Sequence, residues 1–144
     1  MATRSTIAME QPDGRIMQIY CHWDGYLDNN GNILKQHYTD RAKIYSLMML
    51  GDISNLGEEI GQAHDFDSRN KPETWTTAYA RDRGELGTEC RVWADFATYA
   101  RDSQFEEYNY VYRLDEQWHV EYYGCEGGFV TLEQAFNIQE AMDA

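Results

Sequence analysis

The segment YCHWDGY at residues 20–26 brings a thiol, an imidazole and a carboxylate within four consecutive positions, in Cys21, His22 and Asp24. With Asp24 to orient it, His22 could act as a general base or as a metal ligand. Cys21 would not join them, because adjacent residues of a strand point to opposite faces of a sheet. The competing interpretation is a strand end where the flanking aromatic residues pack and Asp24 shapes a turn. Single His/Asp pairs are common, which favours this second interpretation.

The other histidines and the cysteines do not follow a metal-binding pattern. The three remaining histidines stand singly along the chain, and Cys21, Cys90 and Cys125 include no Cys-X-X-Cys pair. A structural zinc site needs four such ligands, so the sequence predicts no metal site. An odd number of scattered cysteines favours free thiols in a reducing compartment over a disulfide framework.

The basic pair Arg81 and Arg83, in the string YARDRGE, is a second candidate for chemistry. Two guanidinium groups could grip a phosphate or a carboxylate. In this acid-rich part of the chain, neighbouring carboxylates such as Glu85 could instead neutralise them, and this interpretation is favoured. Together with His22 and Asp24, the two arginines define an alternative hypothesis, a small enzyme or ligand-binding protein with these four side chains in one cleft.

Motifs of nucleotide-binding and hydrolytic enzymes are absent from the sequence. Gly51, Gly57 and Gly61 do not form a G-x-G-x-x-G pattern, and no phosphate-loop ending G-K-[ST] follows them. Nucleophile-elbow, H-E-x-x-H and calcium-loop patterns are also missing. The sequence therefore predicts no catalytic residue and no cofactor, and favours a protein that is not an enzyme.

The formal net charge of −13 is unevenly distributed along the 144 residues. Residues 1–50 contain five acidic and five basic residues, so residues 51–144 carry the whole net charge. Such a chain should be repelled by nucleic acid and by anionic membranes and attracted to basic partners. The sequence has no apolar run of about 20 residues and no apolar stretch near its start, so we expect no membrane segment and no signal peptide.

The acidic residues are the features most suggestive of a binding surface. A negative surface could dock on a basic groove of another protein, including one that normally holds nucleic acid. The competing interpretation is that the acids serve solubility alone. If they form a surface, the residues predicted to contact the partner are Asp52, Glu58, Glu59, Asp65, Asp67, Glu106 and Glu107.

Alternating residues predict two β-hairpins. Thr6–Glu10 and Arg15–His22 flank the turn at residues 12–14, where proline presets φ and glycine accepts a positive φ. Tyr108–Arg113 and Trp118–Tyr122 flank a polar turn. The tyrosines at 108, 110 and 112 share one strand face, either as the core side of the sheet, which we favour, or as an exposed aromatic platform.

Two main helices are predicted. The first runs over Asp40–Leu50, with a cap at Thr39 or Asp40 and a stop at Gly51. The second runs over Thr131–Met142 and opens with a Thr131/Gln134 capping box. Its inner face is predicted to hold Leu132, Ala135, Phe136 and Met142.

Less regular segments receive shorter elements. Residues 51–69 are expected to be loops with one helical turn. Strands are expected at Thr74–Tyr79 and near Arg91, and a short helix near Asp95–Arg101. Altogether the sequence predicts one acidic α+β domain over residues 1–144, with an antiparallel sheet of about five strands and two main helices packed on it.

Several strings resemble, in the same order, a family of small proteins from tailed bacteriophages and prophages. They are RSTIAM, IYCHWDGYLDNNG, MMLGDISNLGEEIG, YARDRGE, EYNYVYRLDEQWHV and FVTLEQAF, and they span Arg4 to Phe136. The resemblance carries over no catalytic residue. It implies a setting, namely an accessory phage protein that acts in the bacterial cytoplasm during infection.

Charge, missing enzyme motifs and this setting lead to one functional hypothesis. The protein would bind and occlude a basic surface of a host nucleic-acid-handling or defence complex, as an anti-CRISPR or anti-restriction inhibitor does. Such an inhibitor could act by mimicking nucleic acid. It would not bind nucleic acid directly. The alternatives are the small enzyme or ligand-binding protein described above and a structural or regulatory phage protein that self-associates.

Overall fold

The chain begins with an antiparallel hairpin of β1 (Ser5–Glu10) and β2 (Ile16–Cys21), in which Glu10 pairs with Ile16. Gly14 closes the turn with a φ of +92°, a backbone conformation that glycine adopts without steric cost. The computed structural model describes residues 2–68, 70–122 and 128–143. The later elements are a π-helix at Leu27–Gly31, α1 (Asn32–His37), α2 (Arg41–Leu50), β3 (Ile53–Asn55), β4 (Thr77–Ala78), α3 (Tyr79–Arg83), β5 (Arg91–Trp93), α4 (Phe96–Asp102), β6 (Tyr108–Tyr112), β7 (Trp118–Tyr122), β8 (Val130–Thr131) and α5 (Leu132–Asp143).

Eight strands of the described chain form one mixed sheet. The order is β4-β3-β2-β1-β6-β7-β8, with β5 also paired to β2. The two hairpins meet through a parallel pairing of β1 with β6, and β2 pairs in parallel with β3. The mixed α+β class is confirmed, but the expectation of an antiparallel sheet of about five strands is wrong. The additional strands are only two or three residues long, too short to show a period-2 pattern.

The two main helices begin where local signals predict. The Asp40 carboxylate accepts a hydrogen bond from the Ala42 backbone N–H, at 3.1 Å, at the start of α2. At the start of α5, Thr131 N donates to Gln134 Oε1 at 2.9 Å, and Gln134 N donates to Thr131 Oγ1 at 3.2 Å. Both caps are confirmed. One part of the predicted inner face of α5 is wrong, because Met142 is 80% exposed near the helix end.

One face of the sheet packs against α1, α2 and α5 to form the larger core. Tyr110 and Tyr112 are buried on this face, and Tyr108 is half-buried and stacked on Tyr122, so the tyrosine row lies on the core side. The helices contribute Leu34, Ile44, Leu47, Met48, Leu132 and Ala135 to the same core. Burial of this apolar surface is the main stabilising term of the fold.

The opposite face of the sheet is only partly covered. Tyr99 of α4 packs there on Ala8, Ile16 and Val111. Phe96, Phe105 and Phe129 surround Tyr99 at ring-centroid distances of 5.4 to 6.1 Å. Beyond this small cluster the same face carries polar side chains, among them Thr6, Gln18 and Tyr20, and it is here that the sheet opens to a cleft.

Two predicted segments differ from the structure. The expected strand Thr74–Tyr79 is reduced to β4, because Tyr79 begins α3. The segment expected to be loops contains β3, which pairs with both β2 and β4. Three-residue strands depend on partners distant in sequence, and local patterns do not contain that information.

Candidate functional site

An open cleft of about 730 Å³ lies on the partly covered face of the sheet. Thr6, Gln18 and Tyr20 of β1 and β2 line it from the sheet. One side is formed by Asp52 and by β5. The other side is formed by the end of α4 and the loop that leads to β6. A volume of this size is in the range of small-ligand and peptide side-chain sites.

Asp52 forms part of the cleft wall and is not an exposed contact residue. It is 8% exposed, and its carboxylate accepts two hydrogen bonds from Arg91, from Nη1 and Nη2 at 2.9 Å each. Its Oδ1 also accepts from the Tyr20 backbone N–H at 2.9 Å. Because these bonds use the carboxylate within the fold, Asp52 does not belong to a freely accessible acidic surface. The prediction of Asp52 as an exposed contact residue is corrected in this respect, because its carboxylate lies in the cleft wall and is bound by Arg91.

Glu106 is held in place by a buried asparagine. Asn109 Oδ1 accepts from the Glu106 backbone N–H at 2.9 Å, and Asn109 Nδ2 donates to the Glu106 carbonyl oxygen at 2.8 Å. Thr6 Oγ1 donates to the same Asn109 Oδ1 at 2.8 Å. The backbone that carries Glu106 is therefore anchored to β1, while the Glu106 side chain lines the cleft.

Trp93 and Gln18 connect the two sides of the cleft. Trp93 Nε1 donates to Gln18 Oε1 at 3.0 Å, and Gln18 Nε2 donates to Ser103 Oγ at 2.8 Å. This chain of bonds runs from β5 across β2 to the residue that follows α4. Gln18 is buried, and Trp93 is half-buried, lines the cleft and packs against the small cluster around Tyr99. These two hydrogen bonds hold the two sides of the cleft in fixed positions relative to each other.

Tyr20 lies where the cleft meets the segment around His22. Its hydroxyl is 2.7 Å from His22 Nδ1. Burial raises the pKa of Tyr20, Arg4 opposes that shift, and the negative charge of Glu106 adds to it. Tyr20 remains the neutral phenol near neutral pH.

The other predicted contact residues lie in two further places. Glu58 and Glu59 are exposed after β3, where His37 Nε2 is 3.6 Å from Glu58 and Thr74 Oγ1 donates to Glu59 at 2.6 Å. Asp65 and Asp67 are exposed on the following loop. Glu107 is exposed beside Glu106 and accepts from the Arg4 backbone N–H at 3.4 Å. The structure therefore brings Asp52 and Glu106 to one cleft and leaves the other five residues outside it.

The loop with Asp65 and Asp67 is anchored by the buried carboxylate of Asp82. That carboxylate accepts from the backbone N–H of His64 at 3.1 Å and of Ala78 at 2.7 Å, and from Arg81 Nε at 2.9 Å. Burial by itself raises the pKa of Asp82, but the hydrogen bonds from Arg81 and the two backbone groups outweigh it and hold that pKa below its ordinary value. The ionised carboxylate is thus the stable form.

The four residues of the alternative enzyme hypothesis have separate environments. His22 pairs with Tyr20, and Asp24 is exposed with a φ of +57°. Arg81 donates to Asp82 and to two backbone carbonyl oxygens, and Arg83 donates to Glu85 at 2.6 Å. In the described chain no hydrogen bond or ion pair joins any two of these four residues. The neutralisation of Arg83 by Glu85 is confirmed.

Several cleft residues were not predicted as functional. Arg91, Trp93 and Asp102 lie in a stretch where the sequence shows only a short strand and a short helix. A tryptophan beside an arginine in a polar stretch was the one available signal, since these residues are enriched in binding sites. Among the described residues, no group of three or more histidine, cysteine or acidic side chains could hold a metal ion. Cys21 and Cys90 are free thiols, and Cys125 lies outside the described residues.

Comparison of the chain with protein-family models, with curated proteins and with solved structures gave no match. The site must therefore be interpreted from its own geometry. None of the helices in the described segments has the length and apolarity needed to cross a bilayer.

Proposed function

We propose that the protein is a non-enzymatic accessory protein of a tailed phage that binds and occludes a basic surface of a host protein or nucleoprotein complex. The target class would be a nucleic-acid-handling or defence complex in the bacterial cytoplasm. One observation carries the proposal. Six predicted contact carboxylates are exposed or half-buried, and in the described chain none lies within 4 Å of a lysine or arginine side-chain nitrogen. They are Glu58, Glu59, Asp65, Asp67, Glu106 and Glu107.

Carboxylates without a close lysine or arginine nitrogen steer a basic partner toward the protein and set the salt dependence of binding. Affinity then requires contact area that excludes water, which large aromatic side chains supply. Trp93 and Tyr20 line the same cleft as Glu106. Phe66 stacks on Tyr79 next to Asp67, with ring centroids 5.5 Å apart, but Arg83 already lies over both rings. The cleft therefore combines an acidic group with aromatic side chains that no arginine or lysine covers in the described chain, and that combination supports a protein-binding role.

The phage setting rests on the sequence resemblance and belongs to the proposal. A phage protein made during infection meets host complexes whose grooves are basic because they hold nucleic acid. A protein with a net charge of −13 competes for such grooves without any catalytic step.

The first test is capture of the tagged protein with its partners from the bacterial host, washed at low and then at high salt. We expect a stoichiometric basic partner that dissociates at high salt. Two variants, E58Q/E59Q/D65N/D67N and E106Q/E107Q, separate the two acidic regions. The variant E116Q/E133Q/E140Q/D143N removes four exposed charges from the second hairpin turn and α5, and serves as the matched control.

At least one of the two test variants should lose the partner while the control retains it. Equal capture by all variants would show that the predicted acids do not form the interface. Absence of any basic partner at either salt concentration would overturn the proposed function. Thermal unfolding of each variant, followed by circular dichroism, confirms that loss of binding does not arise from loss of fold.

A further inference from the structure

We infer that the cleft receives one arginine side chain of the basic partner, whose guanidinium pairs with Glu106 and packs on Trp93. This inference deepens the proposed function and rests on it. It names the residue type that the partner would insert.

The charge balance of the cleft favours a cation. Its lining holds three carboxylates, on Asp52, Asp102 and Glu106, and one arginine, Arg91. Arg91 is already bound at two points by Asp52. The Asp102 carboxylate forms an ion pair with the exposed Arg101 of the same helix. Arg4 acts electrostatically on Tyr20, but it is not part of the lining and forms no ion pair with Glu106. The Glu106 carboxylate has no lysine or arginine side-chain nitrogen within 4 Å in the described chain, so it is the carboxylate of the lining left without an ion-pair partner. An anionic ligand would meet Glu106 with Arg91 already occupied.

The backbone that carries Glu106 and the indole of Trp93 are pre-positioned. Asn109 and Thr6 anchor the backbone of Glu106 to β1, and Gln18 fixes the Trp93 indole through Nε1. A site whose walls are already ordered loses less conformational entropy on binding. This rigidity distinguishes Glu106 from the exposed acids on the loop after β3, whose carboxylates are not part of a cleft.

Guanidinium suits this cleft better than ammonium. A planar guanidinium stacks on aromatic faces and pairs with a carboxylate through its edge, whereas an ammonium is a strongly hydrated point charge. The protein already uses such packing elsewhere, with Arg113 3.7 Å from the centroid of Phe96 and Arg83 4.5 Å from that of Phe66. In the cleft, the half-buried Trp93 offers an aromatic surface without an arginine of its own over it in the described chain.

The test is an NMR titration of the full chain with N-acetyl-arginine-amide, monitored at the indole N–H resonance of Trp93. The variant W93F assigns that resonance among the four tryptophans. N-acetyl-lysine-amide probes ammonium, and N-acetyl-citrulline-amide probes an uncharged group of nearly the same shape. We expect a saturable shift with arginine, a weaker one with lysine and none with citrulline.

The variant E106Q should weaken arginine binding by about fivefold or more, whereas E116Q, on the distant hairpin turn, should leave it unchanged. Retention of the wild-type spectrum outside the cleft shows that E106Q is folded. The inference is overturned if arginine gives no saturable shift, if citrulline binds equally well, or if E106Q binds as the wild type does.

The two proposals fail in different ways. Capture of a basic partner without an arginine-dependent shift of Trp93 would leave the proposed function standing and overturn the cleft inference. A selective arginine shift without any captured basic partner would support the cleft as a guanidinium site and overturn the proposed function.

Discussion

Asp52 and Arg91 form a two-point ion pair, with both Nη–Oδ distances at 2.9 Å, at the place where the outer edge of β2 changes partner. Residues 16–18 of β2 pair with β5, while Cys21 pairs with Ile53 of β3. Between these two short strands, the Asp52 carboxylate accepts the Tyr20 backbone N–H. A side chain thus takes the place of a missing strand partner, and Arg91 fixes that side chain.

The variant D52N should destabilise the protein by about 1–2 kcal/mol, because it leaves Arg91 without its two-point partner beside the sheet. Urea unfolding measures the change. The variant R101Q breaks an exposed ion pair on α4 and should leave stability unchanged within error. A D52N protein as stable as the wild type would show that the ion pair does not hold β3 and β5 together.

Stability should fall in acid through Asp82. The pKa of this carboxylate is lower in the folded protein than its ordinary value, so the folded state binds the proton less readily than the unfolded state. The resulting stabilisation is present above the ordinary pKa of about 3.9 and is lost as pH falls through the lower, folded pKa. The urea concentration at the unfolding midpoint should therefore fall less between pH 5 and pH 3 in D82N than in the wild type.

The matched control for that experiment is D65N, an exposed carboxylate on the loop that Asp82 anchors. D65N should keep the wild-type difference between the two midpoints. If D82N and the wild type lose stability equally between pH 5 and pH 3, the source of acid sensitivity lies in other carboxylates.

The variant Y99F should stabilise the protein by about 1 kcal/mol. The Tyr99 hydroxyl is buried, and its nearest polar neighbour, Thr6, already donates its hydroxyl hydrogen to Asn109 Oδ1. Among the described residues the Tyr99 hydroxyl forms no hydrogen bond, and a buried hydroxyl without a partner costs folding free energy. Tyr38 provides the opposite control, because its equally buried hydroxyl donates to the Gly57 carbonyl oxygen at 2.8 Å. Y38F should therefore lower the free energy of unfolding. Loss of stability in Y99F would indicate that the hydroxyl is satisfied.

Cys21 should resist alkylation in the folded protein. Burial raises the pKa of its thiol to about 11, and its side chain is shielded from reagent. At pH 8 roughly one thiol in a thousand would be the reactive thiolate. Of the two cysteines in the described segments, half-exposed Cys90 should be labelled first by iodoacetamide, and Cys21 only after unfolding in urea. Peptide mass spectrometry distinguishes the two sites, and native labelling of Cys21 at the rate of Cys90 would contradict the burial.

Local signals in the sequence determined the parts of the fold that depend on neighbouring residues. The turn at residues 12–14 and the alternation around it specify the first hairpin, and Asp40 and Gly51 specify where α2 begins and ends. The capping box of Thr131 and Gln134 specifies the start of α5. Each of these depends on contacts across a few positions, so a single sequence contains the necessary information. The net charge of −13 is likewise a property of composition.

Tertiary structure decided which acidic residues can act together. Asp52 and Glu106 are 54 positions apart in the sequence. They line one cleft because β1 pairs in parallel with β6 while β2 pairs with both β3 and β5. The same pairings bury Asp52 against Arg91, and they leave Glu106 without a lysine or arginine side-chain nitrogen within 4 Å among the described residues. Neither outcome is visible in the sequence, where both residues are simply acidic. Long-range strand pairing depends on the whole core. This pairing decides which acidic residues line the cleft and which lie on separate loops.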